Sequence, residues 1–520
     1  KRAVHRGATL VVVDPRAVWM TTISEHHLQI KPGSDVWLLN AMANVIISEG
    51  LVADEFVTKQ TENFESVKAA VKDYTPEAAE AFTGIAPDLL RKVARQYAST
   101  PKAGIYYTLG ITEHSHGTDN VYALANLVLM TGHLGQPSSG MNPLRGQNNV
   151  QGANDAGATP VFYPGYQLVD DPKAQKLFEE AWDCELDPEP GLNLNEMMQT
   201  MGESIKGIFV MGEDIVLSEP NAHHLEAALA GVEFIAIQEP FPNETMRFAN
   251  VVFPSAVFAE KDGVFTNSER RVQLVRQAVA PPGEARQDWR ILSDLAKAVG
   301  LDWNYESPAE IYAEMAALTP KFKGISHERL GEIQADGMTG IQWPCPTSDH
   351  PGTVYLHNDG IMRGKGLFHA VTYRPPMEVP DKDYGLFLST GRTLYHYNAA
   401  TQTRRESGPV AKQPEAFVEI HPRDAKERNI QPGDQVRIST RRGHIDVIAV
   451  VSRQVRPGCI WTPLHYAEAR ANLLTNDEGD PVTGTAEFKV CAAEVVRLGE
   501  GCELEETFRG SFYSTQGPRA

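Results

Sequence analysis

Short, uninterrupted apolar runs that each end in a polar or turn residue, separated by segments of helical period, constrain this chain most. ATLVVVDP closes on Asp14-Pro15, and AGIYYTLG closes on Gly110. KGIFVMGED, VEFIAIQEPF and ANVVFPSA follow the same plan further on. A run apolar at every position suits a parallel strand covered on both faces. DVWLLNAMANVIISEG places Val36, Leu39, Met42 and Ile46 at helical spacing, with Gly50 as a stop. APDLLRKVARQYAST, with Pro87 in its first turn, TDNVYALANLVLMTGHLG and QDWRILSDLAKAVG read as further helices. The pattern predicts an α/β fold of parallel sheets with helices on their faces.

The character changes near residue 379. DYGLFLSTGR, AFVEIHP, GDQVRISTRRGHIDVIAVVS and GCIWTPLHY are β-rich, and the RRG between two alternating runs marks a hairpin, so a small β-barrel is expected. The segment 162–193 reads as an irregular surface excursion. At 520 residues the chain exceeds one hydrophobic core. Three domains are expected, 1–144, 145–378 and 379–500, followed by a C-terminal extension over 501–520.

A formal charge of −19 argues against a nucleic-acid surface, which needs clustered Lys and Arg. It also means that an anionic substrate must be met by local positive groups. No stretch has the ~18 apolar residues of a membrane helix. Cys184, Cys345, Cys459, Cys491 and Cys502 are scattered with no CxxC pair, which fits neither a zinc site, an iron–sulfur cluster nor a disulfide framework and points to a reducing cytoplasm. KRAVHRGATLVVVDPR has no h-region of a signal peptide and runs straight into a strand, so the sequence is expected to begin inside a larger polypeptide.

One run carries chemistry openly. PLRGQNNVQGANDAGATPVFYPGY (143–166) gathers amides and glycines around one Arg. Amides donate and accept at once, and glycines let backbone N–H groups approach a ligand closely, which suits a phosphate-rich or pterin-like ligand as well as it suits a plain connecting loop. RGQNNVQGA, preceded by LANLVLMTGHLGQPSSGMNPL, resembles molybdenum-dependent formate dehydrogenases. The resemblance continues through GATPVFYPGY, MGED, FPSAVFAEKDGVFTNSERRVQ, IQWPCP and FKVCAAEV, from Val11 to about Val496.

The resemblance implies two Rossmann-like domains related by pseudo-symmetry and a C-terminal β-barrel of double-psi type. It implies a molybdenum or tungsten centre held by two molybdopterin guanine dinucleotides, and formate oxidised to CO2. Arg145 matches the family's carboxylate-binding arginine, and a guanidinium pairs with a carboxylate through two parallel hydrogen bonds. The alternative is an Arg that pairs with a structural acid such as Asp155. Gly146, Gln147 and Asn148, beside Arg145 in the motif, are expected to contact the cofactor. Asp14, Arg16, Gly33 and Asp35 match dinucleotide contacts at a strand end and a helix entry. Leu109, Gly110 and Glu113 match a pterin-contacting segment in which the family often has Gln for Glu113. Gly212, Asp214, Ser218, Gln238, Ser255 and Asp288 match contacts to the second dinucleotide, although each alone reads more readily as a cap or turn. Arg392, Thr393, His396 and Asn398 match the bis-pterin site, with either ring nitrogen of His396 open to a ligand. Asn472 and Lys489 match cofactor contacts, Lys489 as a phosphate counter-charge. His114 and His116, at a helix entry, read as cap or surface residues.

The family's selenocysteine or cysteine metal ligand and its [4Fe–4S] motif belong to an N-terminal segment with no counterpart here, so no protein metal ligand is assigned. Iron–sulfur subunits, with an NAD-linked flavoprotein among the possible electron acceptors, are the implied partners. The alternatives are another molybdopterin oxidoreductase such as a nitrate reductase, or a cofactor-free scaffold subunit.

Overall fold

The computed structural model describes residues 1–501, so all of the expected C-terminal extension except Gly501 lies outside the described residues. The chain divides into two compact units. One comprises Lys1–Asn142, Asp214–Ala227 and the described residues from His357 on; the other comprises Pro143–Glu213 and Ala228–Leu356. The chain therefore enters the second unit twice, whereas the sequence suggested three consecutive blocks.

In the first unit the strand Val11–Val13 pairs in parallel with His26–Leu28, and Gly104–Tyr107 pairs with Gly140–Pro143. The expected single sheet is thus two short pairs, and these strands are not covered on both faces: Val13 and Tyr106 are exposed. The helices form as the periodicity predicts, at Asp35–Ser48, Pro87–Ser99 and Gly117–Thr131, the last ended by Gly132 at φ 67°. They supply most of a core containing Leu38, Ile46, Leu90, Leu127 and Met130.

The barrel of this unit is closed, in the order Leu386–Gly391, Cys459–Pro463, Phe417–Ile420, His444–Val451, Gln435–Ser439 and Cys491–Gly499. Leu386–Gly391 runs parallel to Cys459–Pro463, and Phe417–Ile420 runs parallel to His444–Val451. The expected hairpin pairs Ser439 with His444. Closure leaves no free sheet edge and buries Leu388, Val418, Ile438 and Ala493 inside.

The second unit holds a parallel three-stranded sheet, Val251–Pro254, Phe234–Glu239 and Gly207–Met211, with the middle strand buried. An antiparallel sheet adds Gly263–Thr266, Arg271–Val275 and Ile341–Gln342. The segment 162–193 is more ordered than expected: Pro172–Trp182 is a helix whose N-cap Asp171 accepts from Lys173 N, and it buries Phe178 against Tyr163. The Asp-Pro cap and apolar stripe were legible signals. No helix among the described residues is long and apolar enough to cross a membrane.

Candidate cofactor and anion site

The RGQNN run is shaped by its neighbours. Asn149 adopts φ 65° and its Oδ1 accepts from Thr266 N at 2.9 Å. A Cβ on Gly152 would lie 2.0 Å from that Oδ1, so a larger residue there would push the Asn149 amide off Thr266 N. The short helix Val150–Asp155 then puts Gln151 and Asp155, four apart, on one face. Gln151 Nε2 donates to Asp155 Oδ1 (2.8 Å) and Tyr166 Oη (2.7 Å), and Tyr166 donates to Asp155 Oδ1 (2.8 Å). Trp343 Nε1 donates to Asp155 Oδ2 (2.9 Å). Gln151 Oε1 faces Arg145 and accepts from its Nε at 3.2 Å.

Arg145 itself is exposed, and its backbone N–H donates to Ser268 Oγ. It forms no ion pair with Asp155, because Gln151 stands between them. Burial pushes the Asp155 carboxyl up, opposed by its donors Gln151, Tyr166 and Trp343. Gly146 and Asn148 are exposed beside Arg145, and Gln147 is half-buried.

The second unit also groups its strand-end candidates. Gly212 N donates to Gln238 O, and Ser255 N donates to Glu239 O, at the ends of the parallel strands. Gln238, fully buried, donates from Nε2 to Asp288 Oδ1 at 2.8 Å, while its Oε1 has no partner. Asp288 opens the helix Asp288–Ala298 and pairs with Lys261. Lys261 was missed in the sequence, where nothing in FAEKDGVF distinguishes it from a surface lysine.

In the first unit, Asp14, Asp35, Glu113 and Lys489 interact. Burial raises Asp14, opposed by Arg16, His27 and Lys489. Asp35, the first residue of its helix, is pushed up to about 7 by burial and by Asp14. Gly33, at φ 75°, comes so close to Pro376 that a Cβ would lie 2.2 Å from Pro376 Cγ. Leu109 and Gly110 begin a short helix after the strand Gly104–Tyr107, and Gly110 O meets His114 Nε2 at 2.9 Å. His114 and His116 are buried rather than superficial, stacked with centroids 5.4 Å apart. Burial drives His114 down to about 3 and His116 to about 4, so both rings are neutral at pH 7. His116 does stand at the N-cap of Gly117–Thr131, without a side-chain cap bond, but the surface half of the expectation fails because this helix entry packs under Glu487 and Asp480.

Several candidates are occupied by protein partners. Arg16 grips the fully buried Glu419 through Nε (2.6 Å) and Nη2 (2.5 Å) and lies 4.4 Å from the Trp461 ring centroid. Glu419, in the middle of the strand run AFVEIHP, gave no sign of this role in the sequence. Lys489 Nζ pairs with Glu113 at 2.7 Å and donates to Thr390 O. Asn472 Nδ2 donates to the carbonyls of Leu217 and Ser218, tying down the short helix Ile215–Ser218 that follows Asp214. His396 keeps neither ring nitrogen open: Nδ1 meets Thr403 Oγ1 and Nε2 meets Gln413 O.

The turn after the strand Leu386–Gly391 is pinned by a residue that the sequence did not single out. His465 Nε2 accepts from Thr393 N at 2.7 Å, so its Nδ1 carries the proton and donates to Asn398 O at 2.5 Å. Burial lowers His465 to about 4, keeping it neutral. Arg392 Nη2 donates to Asn398 Oδ1, while Arg392 Nε and Thr393 Oγ1 are buried without a partner.

These features describe an α/β protein with one unit whose parallel strands end in polar residues and another whose closed barrel has a turn carrying unsatisfied donors. Residues 1–298 match the molybdopterin oxidoreductase family, and residues 386–492 match the molybdopterin dinucleotide binding domain. The chain belongs to the molybdopterin oxidoreductase family.

It is 44% identical over 501 residues to the F420-dependent formate dehydrogenase subunit alpha of Methanocaldococcus jannaschii, covering 96% of this chain and 73% of that one. It is 35% identical to formate dehydrogenase H of Escherichia coli (97% and 71% covered) and 34% identical to the assimilatory nitrate reductase catalytic subunit of Bacillus subtilis (96% and 71%). In fold it is similar to acetylene hydratase from Pelobacter acetylenicus, with a TM-score of 0.74 at 16% identity over 95% of this chain and 75% of the other.

The residues present fit a pterin dinucleotide. Buried polar atoms cost free energy unless they are paired. Gln238 Oε1, Arg392 Nε and Thr393 Oγ1 are such atoms. Gly110 and Gly212 have open space where a Cβ would be, so a ligand can come close to the backbone at both, although the Gly212 N–H is already given to Gln238 O.

Proposed function

We propose that this chain is the larger, C-terminal part of the catalytic subunit of a molybdenum- or tungsten-dependent formate dehydrogenase, converting formate to CO2, a proton and two electrons. The observation that carries the reading is Arg145: an exposed guanidinium in the RGQNN run, tethered among the described residues only through Nε to a neutral amide. Its two terminal nitrogens can therefore pair side by side with a carboxylate. The likeness to formate dehydrogenase subunits at 44% and 35% identity supports the same reading.

We assign one dinucleotide to the 1–144 region through Asp14, Asp35 and Gly110, and the other to the 145–378 region through Gly212, Asp214, Ser218, Gln238, Ser255 and Asp288. The 379–500 region contributes Arg392, Thr393, Asn398 and Lys489. When bound, the metal centre supplies the two-electron redox chemistry. The protein's part is to orient formate on Arg145 and to hold developing charge as CO2 leaves. Electrons then pass to a [4Fe–4S] centre outside this sequence and on to partner subunits in the cytoplasm. The M. jannaschii relative is named for F420, which favours an F420-linked acceptor over the NAD-linked one.

The 34% identity to a nitrate reductase keeps oxo transfer as a second reading, whereas the match to a dinucleotide binding domain speaks against a cofactor-free scaffold. Metal analysis and dye reduction by the complete subunit decide between them. Molybdenum or tungsten with formate-dependent reduction is expected. Nitrate reduction without formate oxidation would replace the assignment, and a metal-free protein would end it.

A further inference from the structure

The anion-facing arginine has a carboxylate close behind it and does not pair with it. Asp155 is buried, 3% exposed, and one residue, Gln151, separates it from Arg145. An ionised carboxylate only accepts hydrogen bonds. Asp155 therefore draws the NH2 end of the Gln151 amide toward itself, and Tyr166, Trp343 and Thr266 supply its other donors. With its NH2 end committed, Gln151 must present its carbonyl to Arg145. The guanidinium is held at Nε by a dipole, and its charge is left for a ligand.

We propose that Gln151 and Asp155 are positioning residues that orient Arg145 through an uncharged contact, so that its positive charge stays available to a small carboxylate substrate. The inference rests on the formate reading of this site. A direct Arg–Asp pair would orient the side chain equally well but would compete with every formate that binds, because one guanidinium fork serves one carboxylate. The interposed amide avoids that competition.

The test compares Gln151→Glu with Gln151→Met in the metal-loaded complete subunit. Glutamate would put a carboxylate against Arg145, and formate KM at pH 8 should rise about tenfold or more, the scale of one charged hydrogen-bonded pair, while kcat falls less. Its neighbour Asp155 raises the pKa of the new carboxyl, so lowering the pH to 6 should recover much of the lost affinity. Methionine adds no charge, and its KM should rise no more than about threefold, with no recovery at low pH. Without an electron acceptor, formate should raise the melting temperature of the wild type and of Gln151→Met more than that of Gln151→Glu.

Equal, pH-independent KM values in the two variants would overturn the proposal. If Gln151→Glu does not load metal, Asp155→Asn is the test, since asparagine no longer dictates which end of the amide faces Arg145. A raised KM with kcat kept within about threefold supports the proposal, and an unchanged KM overturns it. A wild type that loads metal but oxidises no formate would instead defeat the functional assignment.

Discussion

The ammonium of Lys489 lies 2.7 Å from the carboxylate of Glu113, and both side chains are nearly buried. Glu113 follows the strand Gly104–Tyr107 and its short helix, and Lys489 precedes the last strand of the barrel, so the pair ties the two parts of one unit together. The pairing gives a physical reason for an acid at 113, where the family often has Gln: Lys489 provides its counter-charge. Breaking a buried pair leaves an uncompensated charge. Lys489→Met should therefore cost about 2 kcal/mol in chemical denaturation, and Glu113→Gln in the same background should recover about half of that, a coupling that a double-mutant cycle measures.

Arg16 and Glu419 make a second such junction. Glu419 is completely buried and depends on Arg16 for its charge partner. Arg16→Met alone should destabilise by about 3 kcal/mol, whereas Arg16→Met with Glu419→Leu should lose markedly less, since no orphaned carboxylate remains. Denaturation midpoints of the two variants distinguish this from a simple loss of packing on Trp461.

Asp35 makes stability fall as pH rises. Its carboxyl is raised from 3.8 to about 7 by burial. Between those values the folded protein keeps a proton that the unfolded chain has released, so each step up in pH across that window favours unfolding. Asp35→Asn should flatten the stability profile between pH 4 and pH 7 and should be the more stable form at pH 8, as followed by urea unfolding across that range.

Two glycines separate backbone strain from crowding. Gly33 and Gly50 both have positive φ, but a Cβ at Gly33 would strike Pro376 while Gly50 faces open space. Gly50→Ala should cost about 1 kcal/mol, the conformational penalty alone, and Gly33→Ala about 1–3 kcal/mol more. Equal thermal shifts in the two variants would mean that the loop holding Pro376 gives way freely.

His465→Ala removes the clamp on the barrel turn. Thr393 N and Asn398 O both lose their partner. A disordered turn can no longer present Arg392 and Thr393, so the purified variant should contain at most about a tenth of the wild-type pterin, while the barrel, whose core residues are elsewhere, should keep its β-sheet circular dichroism.

How much of this was legible in the sequence depends on the range of the interaction. Apolar runs and 3.6-residue spacing placed the helices Asp35–Ser48 and Gly117–Thr131 and five of the six barrel strands, because backbone pairing and one-sided burial act over a few residues. The motif order marked Arg145 and the strand-end acids, since a ligand's chemistry limits which residue types can serve it. Asn149 is of a residue type that tolerates its left-handed backbone, whereas the closeness of Gly152 to its amide depends on the distant Thr266.

Only the tertiary structure decided what each candidate touches. Asn472 could have faced a ligand or two helix carbonyls, His396 could have offered a ring nitrogen or spent both, and Arg145 could have paired with Asp155 or been kept from it by Gln151. Glu419, His465 and Lys261 escaped notice because a buried ion pair or clamp joins residues distant in the chain, and no local pattern records its partner. The sequence by itself determined the elements and the chemistry on offer. Packing, which makes each buried donor or charge find one partner, decided which groups were left for a substrate.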